Sequence, residues 1–520
     1  MHEQPPELRR DLLHRRTTRR ALLGGAAGVA ALGGAAAVAG IAYQSGGTQK
    51  QAATGSTEQG GTLAPAEAPP DPDRPIDDPK RRAAHLLRRA GFGGTLAQIE
   101  EFSTLSREDA ADRLLNYATV DNSALDAKVA ALAIDLNQPR PADLMRWWLT
   151  RMVYTARPLE ERMTLFWHGL LTSQVSKIGP QRAKLMVRQN ELFRSMALPK
   201  YDDLIKAVSK DPAMLIYLDT IDSVKAHPNE NYARELMELF TLGVGNYSEQ
   251  DIRESARAFT GWRITPPRKT GNKEQDIANW DPRFFVDPRQ HDTGSKTFLG
   301  KTGNWGGDDV VDVIMQQPAA GRFIARRLFT KFANVEPSDQ TIASLVQVWE
   351  TSNHDVRALV RTILTSDEFY SERSYRAFVR SPVEFMVNAM RGLELEPDLR
   401  RRINDQTVQG MNQILFEPPN VAGWPGGAAW LSSSTFFARA NFLDQLLFGR
   451  AKIPPPVPAL ATATTVEEMV DRALAIFLDR NVSDSARQAI ADHAGTIVNP
   501  AERAATVAYL VLGSPEYQLI

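Results

Sequence analysis

Residues 227–262 read HPNENYARELMELFTLGVGNYSEQDIRESARAFTGW. This stretch decides the fold class, because it carries a helical period, a glycine stop and a second helical period in succession. With Glu230 at zero and a step of 100° per residue, Glu230, Arg234, Glu238, Asn231 and Glu235 fall in one arc of about 140°. Leu239, Tyr232, Leu236, Phe240, Ala233 and Met237 fill the other side. Pro228 marks a first helical position, and Gly243 with Gly245 supplies the stop. Ser248 and Asp251 form a capping box for the next helix, with Asp in place of the usual Glu.

The same period runs outward in both directions. Asp78-Pro79 starts a helix through RRAAHLLRRA, stopped at Gly91, Gly93 and Gly94. Helical stretches continue at 104–117, 123–136, 141–156 and 159–174, then at 181–197, 200–209, 213–219, 230–241 and 248–259. They resume at 308–316, 318–332, 338–351, 355–365, 381–393, 405–414, 433–448 and 465–513. Alternating strand patterns are nearly absent. The expected fold is mainly α, one large multi-helix domain with little or no β-sheet. Two long loops interrupt it, at 263–308 and 416–430. The first is too long for a plain connector and reads as an ordered functional loop or a small hairpin.

Composition bounds the function. The chain has 520 residues, with 61 basic and 62 acidic residues and a net charge of −1. That balance lacks the basic excess of a nucleic-acid binder. There is no cysteine, which excludes disulfides, thiolate metal sites and a cysteine nucleophile. Thr18-Arg19-Arg20-Ala21-Leu22-Leu23 resembles a twin-arginine export signal, and Ala21 to Ala42 is a weakly hydrophobic uncharged run. Residues 1–42 are therefore expected to be a signal or an N-terminal anchor. The only expected membrane contact is through residues 21–42, if the signal stays uncleaved. Residues 43–77 read as a disordered linker. A main helical domain is expected over 78–452, a proline linker over 453–464, and a C-terminal helical segment over 465–520 packed on the main domain. The expected location is the periplasm, cell envelope or exterior.

The polar face of the 229–241 helix has two readings. It is a solvated face carrying i,i+4 pairs, or it lines a cleft in which Glu230, Arg234, Glu235 and Glu238 supply acid–base chemistry. His291-Asp292, in the long loop near Gly294 and Lys296, is the dipeptide that would assist. Asn229, Trp262, Asn420 and Trp424 are candidate ligand contacts, since amides and aromatics on loops held by rigid helices suit binding. His227 and Glu230 lack further ligands at metal spacing, so no metal site is assigned. The cofactor is left open. His168, between Trp167 and Gly169 on an apolar helix, reads as a core histidine. Ser352-Asn353-His354-Asp355 reads as a turn and N-cap. Arg380-Ser381-Pro382-Val383-Glu384 reads as a helix start with Ser381 as N-cap and Glu384 at the third position. Gly300-Lys301-Thr302 fails the phosphate-loop spacing.

Several stretches together resemble a known family: HLLRRAGFGG (85–94), FWHG (166–169), the 229–262 segment, HDTGSKTFLG (291–300), GRFIARRLFTKF (321–332), RSPVEFMVNAMRGL (380–393), FEPPNVAGWPGG (416–427) and LGSPEY (512–517). The combination is similar to the bacterial domain-of-unknown-function 1800 family. The resemblance implies an exported protein whose partner is a sulfatase-like exported protein, and it implies no activity. Many members carry an Asn and an aromatic after FWH, where this chain has Gly169-Leu170-Leu171. The expected function is binding or assembly with an envelope or secreted partner. The alternative is a hydrolase with a carboxylate-rich cleft around Glu230, Glu235 and His291.

Overall fold

Capping residues set the helix boundaries much as the sequence implies. Asp78 accepts from the Arg81 amide ahead of Pro79–Ala90, Thr95 and Gln98 form a capping box ahead of Leu96–Ser103, and Ser248 with Asp251 caps Glu249–Ala258. Each such cap satisfies amides that the first turn leaves open, worth about 1 kcal/mol. These assignments come from a computed structural model, which describes residues 71–334, 336–395, 405–449 and 454–520. The expected signal or anchor over 1–42 lies outside the described residues, as does the linker up to residue 70. Among the described residues no helix is long and apolar enough to cross a membrane.

The protein is mainly α, with two small two-stranded sheets. Both sheets belong to the long loop after Trp262. Trp262–Ile264 pairs antiparallel with Phe284–Val286, and Lys296–Phe298 pairs with Lys301–Gly303. A short helix, Lys273–Ala278, fills the first hairpin's connection. Trp280 donates to the Thr265 carbonyl at 2.6 Å and Phe298 is fully buried, so the loop has anchors of its own.

The core is one contiguous cluster that draws on helices from both ends of the chain. Trp147, Trp148 and Trp167, on Pro141–Tyr154 and Pro158–Leu170, are at most 1% exposed. Burying an indole of roughly 200 Å² contributes on the order of 5 kcal/mol, as an upper figure. The C-terminal residues close this core. Ile520 exchanges backbone hydrogen bonds with Phe378 at 2.8 and 3.2 Å, and Arg89 donates to the Ile520 carbonyl at 3.1 Å.

Two segments read as linkers are docked along the described part of their length. Ile76 is fully buried and its amide donates to the Tyr370 carbonyl at 2.7 Å. Its neighbours Pro72 and Arg74 accept from the Arg373 and Glu372 amides. In the proline segment, Val457 and Leu460 are buried and Ala459 donates to the Leu393 carbonyl. One or two aliphatic side chains among prolines anchor such a stretch, and composition alone averages them away.

Candidate functional site

The 229–262 segment uses most of its polar groups to hold itself together. The helix begins at Glu230 with Asn229 as its cap, two residues later than Pro228 implies. Asn229 accepts from the Asn231 amide and donates to the Asp219 carbonyl. Arg234 makes a bidentate pair with Glu249, both contacts 2.9 Å, and a weaker one with Glu230 at 3.3 Å. Glu238 accepts from the Tyr247 hydroxyl at 2.9 Å. His291 Nδ1 meets the Thr260 carbonyl at 2.8 Å, and Asp292 pairs with Arg257 at 2.7 Å. Trp262 packs edge-on against Phe259 and Phe284 and is 3% exposed. No hydrogen bond or ion pair joins His291 or Asp292 to Glu230, Arg234, Glu235 or Glu238 among the described residues. The structure therefore holds two separate ionic groups here, one around Arg234 and one around Arg257.

Glu235 stands apart. Its carboxylate makes no hydrogen bond among the described residues, and burial together with the Glu238 charge raises its pKa against the pull of Arg234. From Leu236 to Thr241 the helix widens to a π turn, with the Leu242 amide reaching back to Met237 at 2.8 Å. Short π segments are often found at functional sites. One turn past Glu235, Leu239 forms part of a cleft of about 240 Å³.

That cleft is the site the fold builds. Its walls are Leu165, Phe166, Gly169 and Leu170 from Pro158–Leu170, Arg327, Thr330 and Lys331 from Pro318–Phe332, then Ser381, Gln413, and Ala422, Trp424 and Trp430 from the second long loop. The loop is seated by its backbone. The Val175 amide donates to the Phe416 carbonyl, and Asn420 folds a turn by accepting from the Ala422 amide. Gly423, at φ +84°, lies directly on the Gly169 carbonyl. Asn420 thus shapes the loop, and Trp424 faces the cleft.

Beneath the cleft lies a layer of buried cations. Arg89, Arg162, Arg380 and Arg439 are each 1% exposed, and Lys331 joins them at the wall. Glu384 is the only side-chain carboxylate paired with this group among the described residues. It binds Arg162 and Lys331, and it also accepts from the Ser381 amide at 2.9 Å. Burial alone would raise the Glu384 pKa, but Arg162 and Lys331 hold it well below the usual carboxylate range. Burial, with Arg162 and Arg89 close by, brings the Lys331 ammonium down to about 8. Much of the guanidinium capacity goes to main-chain carbonyls. Arg89 binds those of Phe332 and Ala333, Arg380 those of Tyr517 and Leu519, and Arg439 that of Arg380. Carbonyls satisfy the N–H groups and leave the net charge in place, so the cleft sits over an excess of positive charge.

The free polar atoms at the cleft are donors. Trp430 Nε1 is buried without a partner. Gln413 spends its oxygen on the Val383 amide at 3.0 Å, leaving its NH2 group free among the described residues. Ser381 Oγ accepts from the Glu384 amide and keeps its proton. Arg327 is exposed and has no carboxylate partner among the described residues. Behind the aromatic wall, His168 is caged by Trp148, Phe193, Phe416 and Trp424, with Nε2 unpartnered. Burial lowers its pKa to about 3, so the ring is neutral. Among the described residues no group of three or more His, Asp or Glu is placed to hold a metal ion.

Sequence reading reached Trp424 and Asn420 but gave no chemistry to Arg327, Lys331, Gln413 or Glu384. Glu384 had a complete local role as a capping residue, and the structure adds a second role through Arg162. Lys331 sits in GRFIARRLFTKF, where three arginines and one lysine stand without an acid in the twelve residues. That imbalance was the available signal. The sequence profile of a family described as Protein of unknown function (DUF1800) matches residues 85–519. No curated protein and no solved structure matches the chain.

Proposed function

The chain belongs to the DUF1800 family, a protein family of unknown function, and we propose that it is an exported binding protein whose cleft holds an oxyanion on a ring-bearing ligand. The observation that carries this reading is the donor surplus at the cleft. Lys331, Arg327, the Gln413 amide, the Ser381 hydroxyl and the Trp430 indole all offer protons, over a layer in which cations outnumber Glu384. A carboxylate, sulfate or phosphate supplies the acceptors that such a site lacks. Phe166, Trp424 and Trp430 offer apolar faces for a sugar or aromatic ring. Export rests on the paired Arg19-Arg20 before the Ala- and Gly-rich run. Assembly with a sulfatase-like exported partner belongs to the same proposal and rests on the family resemblance.

The test is a thermal-unfolding screen of the mature chain against glucuronate, a glucose phosphate, a glucose sulfate and uncharged glucose. A ligand that binds only the folded state raises the midpoint in proportion to its occupancy. At least one charged sugar raises it and glucose does not. Equal shifts for glucose and for all three anions contradict the reading.

A second reading, a hydrolase, is favoured by Glu235. Its carboxyl is shifted up and lies one turn from cleft-lining Leu239, while Lys331 is shifted down within the cleft. Opposed shifts of this kind suit an acid–base pair. Replacing Glu235 with Gln abolishes turnover under that reading and leaves binding unchanged under the first. Turnover unaffected by the substitution removes the hydrolase assignment from Glu235.

A further inference from the structure

The helix Pro318–Phe332 carries cations beyond the two that enter the cleft. Arg322 and Arg326 are exposed and stand four apart, one turn of helix, and Arg327 and Lys331 repeat that spacing on the adjacent row. Among the described residues no hydrogen bond or ion pair engages the Arg322, Arg326 or Arg327 guanidinium. The Arg327 guanidinium lies over the Phe323 ring at 5.2 Å. Four cations thus cross the solvent-facing side of the helix obliquely, from Arg322 to Lys331 half a turn around it, over about 13 Å at a rise of ~1.5 Å per residue, and the last of them lies in the cleft wall.

A single small anion needs the cleft end only, so the outer pair is unexplained by it. We infer that this face is a track for an acidic polysaccharide whose end unit occupies the cleft. The inference rests on the oxyanion reading of the cleft and extends it to a polymer. Two pairs of cations, each spanning one helical turn, complement a chain bearing several anions, and each added contact raises the effective concentration of the next. The cleft end supplies ring-sized apolar faces at Phe166, Trp424 and Trp430, which a sugar ring covers with its C–H face. Nucleic acid fits less well, because the whole chain has 61 basic against 62 acidic residues and no general basic excess to attract it.

The experiment measures binding by the mature chain of a size-defined heparin disaccharide, a heparin decasaccharide, a dextran decasaccharide and a dT decamer. The wild type binds the heparin decasaccharide about tenfold more tightly than the disaccharide, more weakly as salt rises, and ignores dextran. The variant R322A/R326A, altered only at exposed positions, keeps disaccharide affinity and loses the gain with length. An unchanged melting curve for the variant shows that its fold is kept. Equal affinity for both heparin lengths overturns the track while leaving the cleft reading intact. No binding of either length overturns the track, and the charged-sugar screen then decides the cleft reading separately. Tighter binding of the dT decamer than of heparin overturns the polysaccharide and identifies nucleic acid instead.

Discussion

Gly423 stands against Gly169 so closely that a Cβ at Gly423 would lie 2.3 Å from the Gly169 carbonyl oxygen. The backbone there has φ +84°, where a side chain is strained even without a neighbour. This contact seats the 416–430 loop on the end of the Pro158–Leu170 helix and so sets where Trp424 stands.

Replacing Gly423 with Ala forces the loop off the helix end. The left-handed backbone and the clash together cost about 3 kcal/mol, read as a lowered urea midpoint. Gly169→Ala is the control, because its Cβ meets the Trp424 ring at an ordinary 3.8 Å. Equal effects of the two substitutions would show that the contact does not seat the loop.

Glu384→Gln leaves Arg162 and Lys331 buried without their shared carboxylate. Removing one partner from such a group costs roughly 3–5 kcal/mol. The pH dependence has a definite sign. Glu384 has a folded pKa well below its unfolded one, so its ionised form stabilises the fold above the unfolded value of about 4. That stabilisation is lost as pH falls toward the folded value. Urea unfolding of wild type and variant therefore converges in acid. A constant gap between them from neutral pH downward would contradict the pairing.

Lys331 has its ammonium brought down to about 8. Trinitrobenzenesulfonate, an anionic ring that reacts with neutral amines, labels Lys331 with a midpoint near that pH, whereas exposed lysines follow a value of about 10. Peptide mapping across a pH series reads this directly. Between about 8 and about 10 the unfolded chain binds the proton that the folded chain has released, so stability rises with pH in that window. Labelling of Lys331 in step with the exposed lysines would remove it from the site.

His168 is neutral in the fold, with a pKa lowered to about 3. The unfolded imidazole takes a proton below about 6.5, so this group costs stability as pH falls from there toward the folded value. His168→Phe keeps an aromatic ring among Trp148, Phe416 and Trp424 and removes that acid-side loss. Its urea midpoint falls less steeply with acid than that of wild type. Identical slopes would mean that His168 gains a partner in solution.

Helices and caps were legible in the sequence because their signals are local. Ser248 with Asp251, Ser381 with Glu384, and Asp355 all cap as their spacing implies. The π turn at Leu236–Thr241 was not legible, since a change of hydrogen-bond partner leaves the side-chain period of six residues nearly unaltered. The cleft was illegible for a different reason. Its walls come from 165–170, 327–331, 381, 413 and 422–430, and no local pattern joins segments so far apart. The polar arc of Glu230, Arg234 and Glu238 was conspicuous because its residues stand four apart within one short stretch. In the fold, Arg234 serves Glu249 and Glu238 serves Tyr247.

The central claim is that the cleft beside Lys331 binds an oxyanion. Titration calorimetry of the wild type and Lys331→Met with a glucose sulfate tests it most directly. The account predicts saturable one-to-one binding by the wild type that weakens with salt, and loss of that binding in the variant. Equal heats from wild type and variant, at matched salt and with both folded, would contradict it.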